Sequence, residues 1–507
     1  MIKGLSQIDG EYVAPGTSTS FYQYQNTSFF EAESNHVDVA LSQAEWAFEV
    51  LKKSSPKTIV QLLVQIVSEL EHHQPLIMET YQSESHFPLG RAQGEFARTI
   101  GQIKAFIQLL EKGQYLQAKI DHSTDITPDL RKMLVPMGPI GIFGASNFPL
   151  AFSAAGGDTI SALAAGCPVI IKGHPYHAAT SELVASCMIK AVKESKLPSG
   201  TISHLHGSSH AVGEVLVKHP KLRGVGFTGS YSGGKALYDM AQKRTIPIPV
   251  FAEMGSVNPV IILKEKLHAN QELAQQLADS VLLGSGQFCT NPGLIFIETN
   301  DDNHPFVNEL ISKVIQSQTG QMVHQNILKS YAEKIDQLSQ YSPHLKLFQS
   351  KSNHGACGVI KISDLIKHPA LTHEIFGPYT LLVLFDGVSD FLKIIPSLSG
   401  QLTVTILGDQ SEHKAIAKVS DAIRHLAGRI LYSGVPTGVA VQSTMTHGGP
   451  FPATTDARYT SVGTDAIYRW LRPITFQDCP EALLPDALKS DNPLNLPRQI
   501  NGNWGIH

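Results

Sequence analysis

The stretch Ile140-Gly141-Ile142-Phe143-Gly144-Ala145-Ser146-Asn147-Phe148-Pro149-Leu150 decides the fold. Its first four residues are apolar or small and predict a short buried strand. Gly144 and Pro149 then turn the chain, and Leu150 to Ala165 predicts a helix that Gly166 stops. The same unit repeats downstream. Val169-Ile170-Ile171 predicts the next strand, Thr180 to Glu194 a helix, and Thr201 to Leu205 another strand. Gly213 to Lys218 predicts a helix and Gly224 to Phe227 a strand. Strands alternating with helices imply right-handed βαβ crossovers and a parallel sheet. Such a sheet takes its ligands beyond the carboxyl ends of its strands.

Residues 35–118 are helical in pattern, with Val37, Ala40, Leu41, Ala44 and then Ile59, Leu62, Leu63, Ile66, Leu70 recurring at threes and fours. A second α/β region starts near Phe251. It contains the strands Val260 to Leu263, Leu294 to Ile297 and Tyr379 to Val383, the helix Asn270 to Leu283, and runs to about Gly438. The C-terminal stretch, with Pro480, Pro485, Pro493 and Pro497, has little periodicity. It reads as an arm that contacts another subunit or as a disordered end, and the arm is preferred.

The 507 residues are 42% hydrophobic and 17% charged, enough for two or three domains with large cores. A net charge of -4 offers nothing to nucleic acid or to an anionic membrane. Met133 to Gly157 carries no charge and is long enough to span a bilayer. Pro136, Pro139, Pro149, Gly138, Gly141 and Gly144 interrupt it, so buried core is expected there and not membrane. The N-terminus lacks the apolar core of a signal peptide. The five cysteines, Cys167, Cys187, Cys289, Cys357 and Cys479, form no CxxC pair. Neither a zinc site nor a disulfide framework is expected, and a reducing, cytoplasmic compartment is.

Cys289 lies in Gly284-Ser285-Gly286-Gln287-Phe288-Cys289-Thr290, a loop of small and polar residues. Loops present reactive groups, whereas a structural cysteine more often lies in an apolar run. Cys289 is therefore a nucleophile candidate, provided its thiolate is favoured. Taken alone, Asn147 reads equally as a helix cap, and Glu253, in Phe251-Ala252-Glu253-Met254-Gly255-Ser256-Val257-Asn258-Pro259, as a solvated loop acid. Gly224-Val225-Gly226-Phe227-Thr228-Gly229 matches GxGxxG, but its glycines straddle a strand instead of following it. Gly229 to Lys235 matches most of a Walker A loop, yet Ala236 stands where a Mg²⁺-binding hydroxyl is required. A P-loop nucleotide-binding protein is thus the competing reading from another class. What both matches share is physical: Ser230 can cap the next helix, whose amides and dipole then face a phosphate. An ordinary capped helix explains the stretch as well.

These stretches, with Glu374-Ile375-Phe376-Gly377-Pro378, occur in an order that resembles the aldehyde dehydrogenase superfamily from about residue 35 to about 475. The resemblance implies a Rossmann-type dinucleotide-binding domain (1–118 and 137–251), an α/β catalytic domain (252–438), and a small oligomerisation arm with a C-terminal return (119–136 and 439–507). It makes Cys289 the nucleophile, Glu253 the general base and Asn147 an oxyanion donor. It assigns Lys172, Thr228, Gly229, Ser230, Gly255, Glu374 and Phe376 to the dinucleotide, and implies a homodimer or homotetramer.

The chemistry agrees with those roles. A thiolate adds to an aldehyde to give a tetrahedral thiohemiacetal. Its oxyanion needs fixed donors, here the Asn147 amide and the Cys289 backbone N–H, each typically contributing ~3 kcal/mol. Loss of hydride to nicotinamide leaves a thioester, and Glu253 is placed to activate the water that releases the acid. Members that pass the acyl group to coenzyme A generally lack this carboxylate, so a free acid is the expected product.

Met133 to Ser153, Gly156-Gly157-Asp158-Thr159, His447 to Thr454, Gly94-Glu95 and Arg98-Thr99 look like the 2,5-dioxovalerate (α-ketoglutaric semialdehyde) dehydrogenase subgroup. The related bacterial NADP-dependent fatty aldehyde dehydrogenases share much of this pattern, so a medium- or long-chain aldehyde is the alternative substrate. Ile120 to Ile126 departs from the subgroup. Many NAD-preferring relatives have Lys-Pro-Ser/Ala-Glu after the second strand, whereas this chain has Lys172-Gly173-His174-Pro175. With that carboxylate gone, a like-charge penalty against a 2′-phosphate goes too. NADP⁺ is expected beside NAD⁺, with Lys172 and, less directly, His210 as contacts. His447 lies near the nucleophile if the resemblance holds, and is otherwise a loop histidine bonded to backbone. His174 and His177 lack a third ligand, so no metal is expected. Phe143, Phe152 and Phe288 line an apolar funnel or belong to the core. Arg458 is the candidate anchor for a substrate's far carboxylate.

Overall fold

The computed structural model describes residues 2–17, 19–269, 272–350, 355–436 and 438–506. Its first sheet has seven strands in the order Val250–Glu253, Gly224–Thr228, Ile140–Phe143, Val169–Lys172, Ile202–Leu205, Gln7–Ile8, Glu11–Tyr12. The first five run parallel. The last two are antiparallel additions from the N-terminus, which sequence reading missed. Helices Gly157–Ala164, Ala178–Glu194, Ala211–Lys218 and Tyr231–Gln242 connect the parallel strands. Both faces are covered, which is why these strands read as unbroken apolar runs.

One predicted helix starts late. Leu150 to Gly156 forms turns, and the helix begins at Gly157. The amides of Leu150 and Ala151 donate to Glu95 Oε1, at 2.8 and 2.9 Å. Gly156 is pressed against Ser153, where a Cβ would lie 2.7 Å from a backbone nitrogen. A carboxylate reaching over from helix Leu89–Lys112 therefore replaces the first helical turn. Glu84 instead caps helix Ala178–Glu194 within its first turn, accepting from the amides of Ala179 and Thr180 at 2.9 and 2.7 Å, and that helix begins two residues before Thr180. Each charge satisfies orphan donors that every helix start presents.

The second sheet also has seven strands: Lys346–Gln349, Ala356–Lys361, Tyr379–Phe385, Leu294–Glu298, Val260–Ile262, Gln401–Leu407, Ala427–Leu431. Only the outermost pair, Lys346–Gln349 with Ala356–Lys361, is antiparallel. Asn270, the expected start of the next helix, lies outside the described residues, and the helix runs over Leu273–Leu282. The C-terminal stretch is not a disordered end. Leu471–Gln477, Leu130–Pro136, Lys119–Asp121, Pro497–Ile500 and Asn503–Ile506 form a five-stranded sheet. Arg498 is fully buried beneath it, donating to the carbonyl of Lys489. Among the described residues no helix is long and apolar enough to cross a membrane.

Candidate active site

Cys289 is set by an unusual turn. After helix Leu273–Leu282, Gly284, Ser285 and Gly286 all take left-handed φ values of 56°, 59° and 69°. Ser285 accepts that conformation while its hydroxyl donates to Gly320 O at 2.9 Å. Gly286 cannot be replaced, since a Cβ there would lie 2.1 Å from the backbone of Gly377. Two amides stake the loop. Asn291 Nδ2 donates to Gly286 O at 2.9 Å and Gly377 O at 3.1 Å. Asn258 Nδ2 donates to Cys289 O at 2.8 Å and Asn291 O at 2.9 Å.

Glu253 closes the parallel strand Val250–Glu253 and is buried. Its Oε1 lies 2.9 Å from His447 Nε2, and its Oε2 accepts from the Ser461 hydroxyl. The same His447 nitrogen lies 3.3 Å from Cys289 Sγ. One imidazole nitrogen thus faces both the thiol and the carboxylate. Burial pushes the Glu253 carboxyl up, but His447 and the Ser461 hydroxyl outweigh it and hold the group below its ordinary range. Burial pushes the Cys289 thiol well above its ordinary range, and the Glu253 charge adds to this while Arg98 opposes it. The free site therefore holds a protonated thiol beside a carboxylate. Asn147 Nδ2 donates to Gln287 O at 2.9 Å, which places its amide against the nucleophile's loop. The structure thus brings Cys289, Glu253, Asn147 and His447 together.

Among the described residues, Glu253, Cys289 and His447 are also the group with three potential metal-ligand atoms within 4.8 Å of one another. His174 and His177 are engaged otherwise. His174 Nδ1 accepts from the Tyr176 amide at 3.2 Å, and His177 Nε2 lies 2.9 Å from Ala145 O.

The residues assigned to the dinucleotide fall at strand ends. Lys172 and Thr228 close two parallel strands, and Gly229 and Ser230 follow. Ser230 Oγ accepts from Gly233 N at 3.2 Å and caps helix Tyr231–Gln242. Lys235, the would-be Walker lysine, is instead paired with Asp239 at 2.6 Å. Lys172 Nζ donates to Gly207 O at 2.6 Å; burial lowers its pKa to about 8, with Glu31 opposing. Glu31 in turn accepts from Ser209 N at 3.0 Å. A carboxylate is thus present near Lys172 despite Pro175, carried by a distant segment. His210 is exposed at the start of helix Ala211–Lys218, and its side chain caps nothing there. Glu374 lies over Gly255, whose Cβ would be 2.2 Å from Glu374 Oε2. Burial raises the Glu374 carboxyl to about 7, against Lys334. Phe376 follows, half-buried.

A cavity of about 390 Å³ opens onto Cys289, with Phe148, Phe152, Phe288, Arg91 and Arg98 in its wall. Phe152 and Phe288 are thus where the funnel was expected. Phe143 is not: it is core, packed against Gly213. Arg458 is outside the pocket as well. Its side chain is 79% exposed and paired with Asp456 at 2.6 Å, because a two-residue spacing lets the pair close locally. The arginines of the cavity, 91 and 98, lie one above the other on helix Leu89–Lys112. Ser461, Asn258, Asn291, Arg91 and Phe148 were not singled out from sequence as site residues. Asn258 had a signal, since it stands before a proline in the Glu253 motif. Phe148 and Asn291 stand beside Asn147 and Cys289 in sequence without a signal of their own, and Ser461 and Arg91 act across long sequence separations.

Residues 11–449 match the aldehyde dehydrogenase family. An α-ketoglutaric semialdehyde dehydrogenase of Acinetobacter baylyi is 41% identical over 98% of this chain and 98% of its own. α-Ketoglutaric semialdehyde dehydrogenase 2 of Azospirillum brasilense is 39% identical over 92% of this chain and 91% of its own. Among solved structures, a betaine aldehyde dehydrogenase point mutant of Staphylococcus aureus in complex with NAD⁺ gives a TM-score of 0.79 at 17% identity, over 95% of this chain and 98% of that one. Methylmalonate-semialdehyde dehydrogenase of Oceanimonas doudoroffii gives 0.78 at 16% identity, over 94% and 98%. At such identities the likeness is one of fold.

Proposed function

The chain belongs to the aldehyde dehydrogenase family, and from that premise we propose that it oxidises 2,5-dioxovalerate to 2-oxoglutarate. Its reaction is NAD(P)-dependent oxidation of an aldehyde to a carboxylic acid. The observation that carries the mechanism is the Cys289–His447–Glu253 contact, 3.3 and 2.9 Å through one imidazole nitrogen.

The Cys289 sulfur attacks the aldehyde carbon as its proton passes to solvent through the open cavity, while His447 Nε2–H stays on Glu253 Oε1. The Asn147 amide and the Cys289 backbone N–H hold the oxyanion as the thiohemiacetal forms. A bound nicotinamide would supply the hydride acceptor for that carbon. The acyl group then remains on Cys289 as a thioester. Glu253, ionised at neutral pH, takes a proton from water, whose oxygen adds to the thioester carbon. The C–S bond breaks, the acid leaves, and the sulfur recovers its proton.

The strand ends suit a dinucleotide. Lys172 uses one of three N–H donors on Gly207 O, leaving charge for a ribose or its phosphate. The helix N-terminus at Ser230 faces anions. The Glu374 carboxylate offers acceptors to ribose hydroxyls, and Gly255 makes room for it. Both NADP⁺ and NAD⁺ are used on this reading, with Glu31 working against the 2′-phosphate of NADP⁺.

The phenylalanine wall of the cavity favours a second reading, an aliphatic aldehyde of medium length. The first sheet would serve the dinucleotide, the second the catalytic residues, and the third subunit contacts. The third sheet ends in the edge strand Asn503–Ile506, where Trp504 is 57% exposed. A homodimer or homotetramer in the cytoplasm follows, and five unpaired thiols suit a reducing compartment.

The test is the initial rate of NADP⁺ and NAD⁺ reduction with 2,5-dioxovalerate, with 2-oxoglutarate identified as product. A much higher kcat/KM than with pentanal is expected. A preference for pentanal would replace the substrate and keep the mechanism.

A further inference from the structure

Helix Leu89–Lys112 turns Arg91, Glu95 and Arg98 to one side, four and then three residues apart. All three line the cavity that leads to Cys289. Glu95 is fully committed. Its Oε1 accepts from two backbone amides and its Oε2 from the Tyr81 hydroxyl at 2.7 Å. The two arginines are not committed. Arg91 Nη2 donates to Asn147 O at 2.6 Å, but its Nε and Nη1 are buried without a hydrogen-bond partner. Arg98 Nε reaches Val439 O at only 3.4 Å, and its Nη1 is buried and unpartnered.

Both guanidinium groups lie against aromatic faces. Arg91 is 3.6 Å from the Phe87 ring centroid and 4.8 Å from that of Phe288. Arg98 is 4.9 Å from that of Phe152. Ring faces hold a cation in place without neutralising it. Arginine remains charged, and Glu95, the carboxylate beside both guanidinium groups, cannot neutralise two cations. The cavity therefore has a surplus of positive charge and idle donors, a poor lining for an alkyl tail and a good one for an anion. Gly94, between the arginines, has nothing within 4 Å of a would-be Cβ, so it leaves room for that anion.

We infer that Arg98, with Arg91 beside it, holds the far carboxylate of a short aldehyde acid while the aldehyde carbon meets Cys289. This rests on the proposed substrate and deepens it. Arg98 sets specificity by charge, and its field also reaches Cys289. Arg91 has a second task, since the same guanidinium holds the carbonyl of Asn147. Loss of Arg91 therefore disturbs oxyanion positioning as well as substrate charge.

The experiment measures kcat/KM for 2,5-dioxovalerate and for pentanal in the wild-type enzyme, Arg98→Met, Arg98→Lys, Arg91→Met and Arg458→Met. Cofactor binding and thermal melting report folding. Arg98→Met should lower the dioxovalerate-to-pentanal ratio roughly 100-fold, mostly through KM, as expected for loss of a buried charge partner. Arg98→Lys should recover part of that ratio. Arg91→Met should lower the ratio and also kcat for both aldehydes. Arg458→Met should leave the ratio as it is. If the wild type prefers dioxovalerate and folded Arg98→Met keeps that preference, the anchor is refuted and the substrate stands. If Arg98→Met does not fold, Arg98→Gln takes its place, and a wild-type ratio in Arg98→Gln with loss in Arg91→Met would refute Arg98 in favour of Arg91. A wild type that prefers pentanal overturns both inferences.

Discussion

The two walls of the active site differ in origin. The catalytic wall is built from loops at the ends of strands: Asn147 after Ile140–Phe143, Glu253 at the end of its strand, and Cys289 before Leu294–Glu298. The wall proposed for substrate is one face of a helix, with Arg91 and Arg98 backed by Phe148, Phe152 and Phe288. Chemistry dictates the first wall, since a thiol, a carboxylate and an amide have few substitutes. Packing dictates the second. On the proposed roles the site divides accordingly, with reaction type on one side and substrate choice on the other.

Breaking the catalytic wall should have the largest effect. Cys289→Ala should abolish turnover with every aldehyde while binding NADP⁺ as before, measured by fluorescence titration; residual steady-state turnover would contradict its role. Glu253→Gln should lower kcat by 10²–10⁴, with the acyl-enzyme accumulating as a pre-steady-state burst. Asn147→Ala should cost ~3 kcal/mol, roughly 100-fold in kcat. Arg91→Met is expected to share part of that loss through Asn147 O. Equal kcat in the wild type and Arg91→Met would separate the two walls completely.

The legible part of the sequence was the part chemistry fixes. The parallel strands of the first sheet follow from apolar runs and turn residues, and the roles of the residues at their ends from the resemblance of the motifs to the family. The late start of the helix at Gly157 could not be read locally, because its cause is Glu95 on another helix. The early start of helix Ala178–Glu194, two residues before Thr180, likewise answers to a carboxylate on another helix, Glu84. The strand Gln7–Ile8 pairs with Ile202–Leu205, a partner no nearby residue announces. On helix Leu89–Lys112, Gly94-Glu95 and Arg98-Thr99 stand out only through the subgroup pattern, because the spacing of Arg91, Glu95 and Arg98 does not by itself tell a cavity wall from a solvated face. Only the neighbouring loops make it the wall of a cavity. Arg458 was chosen for its closeness in sequence to His447, and a carboxylate two residues away had already claimed it.

Smaller effects sharpen the boundary between the walls. Iodoacetamide should alkylate Cys289 in the cofactor-free enzyme at a rate that still climbs through pH 9, because burial and Glu253 raise the thiol's pKa. The sign follows from which charge is removed. Glu253→Gln removes a nearby negative charge, lowers that pKa and should speed alkylation at pH 7.5 by up to about tenfold. Arg98→Met removes a positive one and should slow it. A plateau below pH 8 in the wild type would contradict the picture of a protonated resting thiol. The smallest change is expected at the far end of the cofactor region. Glu31→Gln should raise kcat/KM for NADP⁺ over that for NAD⁺ a few-fold, and an unchanged ratio would place the 2′-phosphate elsewhere.

The central claim is that Cys289 carries the acyl group of 2,5-dioxovalerate and Glu253 releases it. Mass spectrometry of Glu253→Gln, quenched after mixing with NADP⁺ and 2,5-dioxovalerate, tests it directly. The account predicts one acyl group per active site on the peptide containing Cys289. An unmodified Cys289 during a full burst of NADPH, or acylation at another residue, would contradict it.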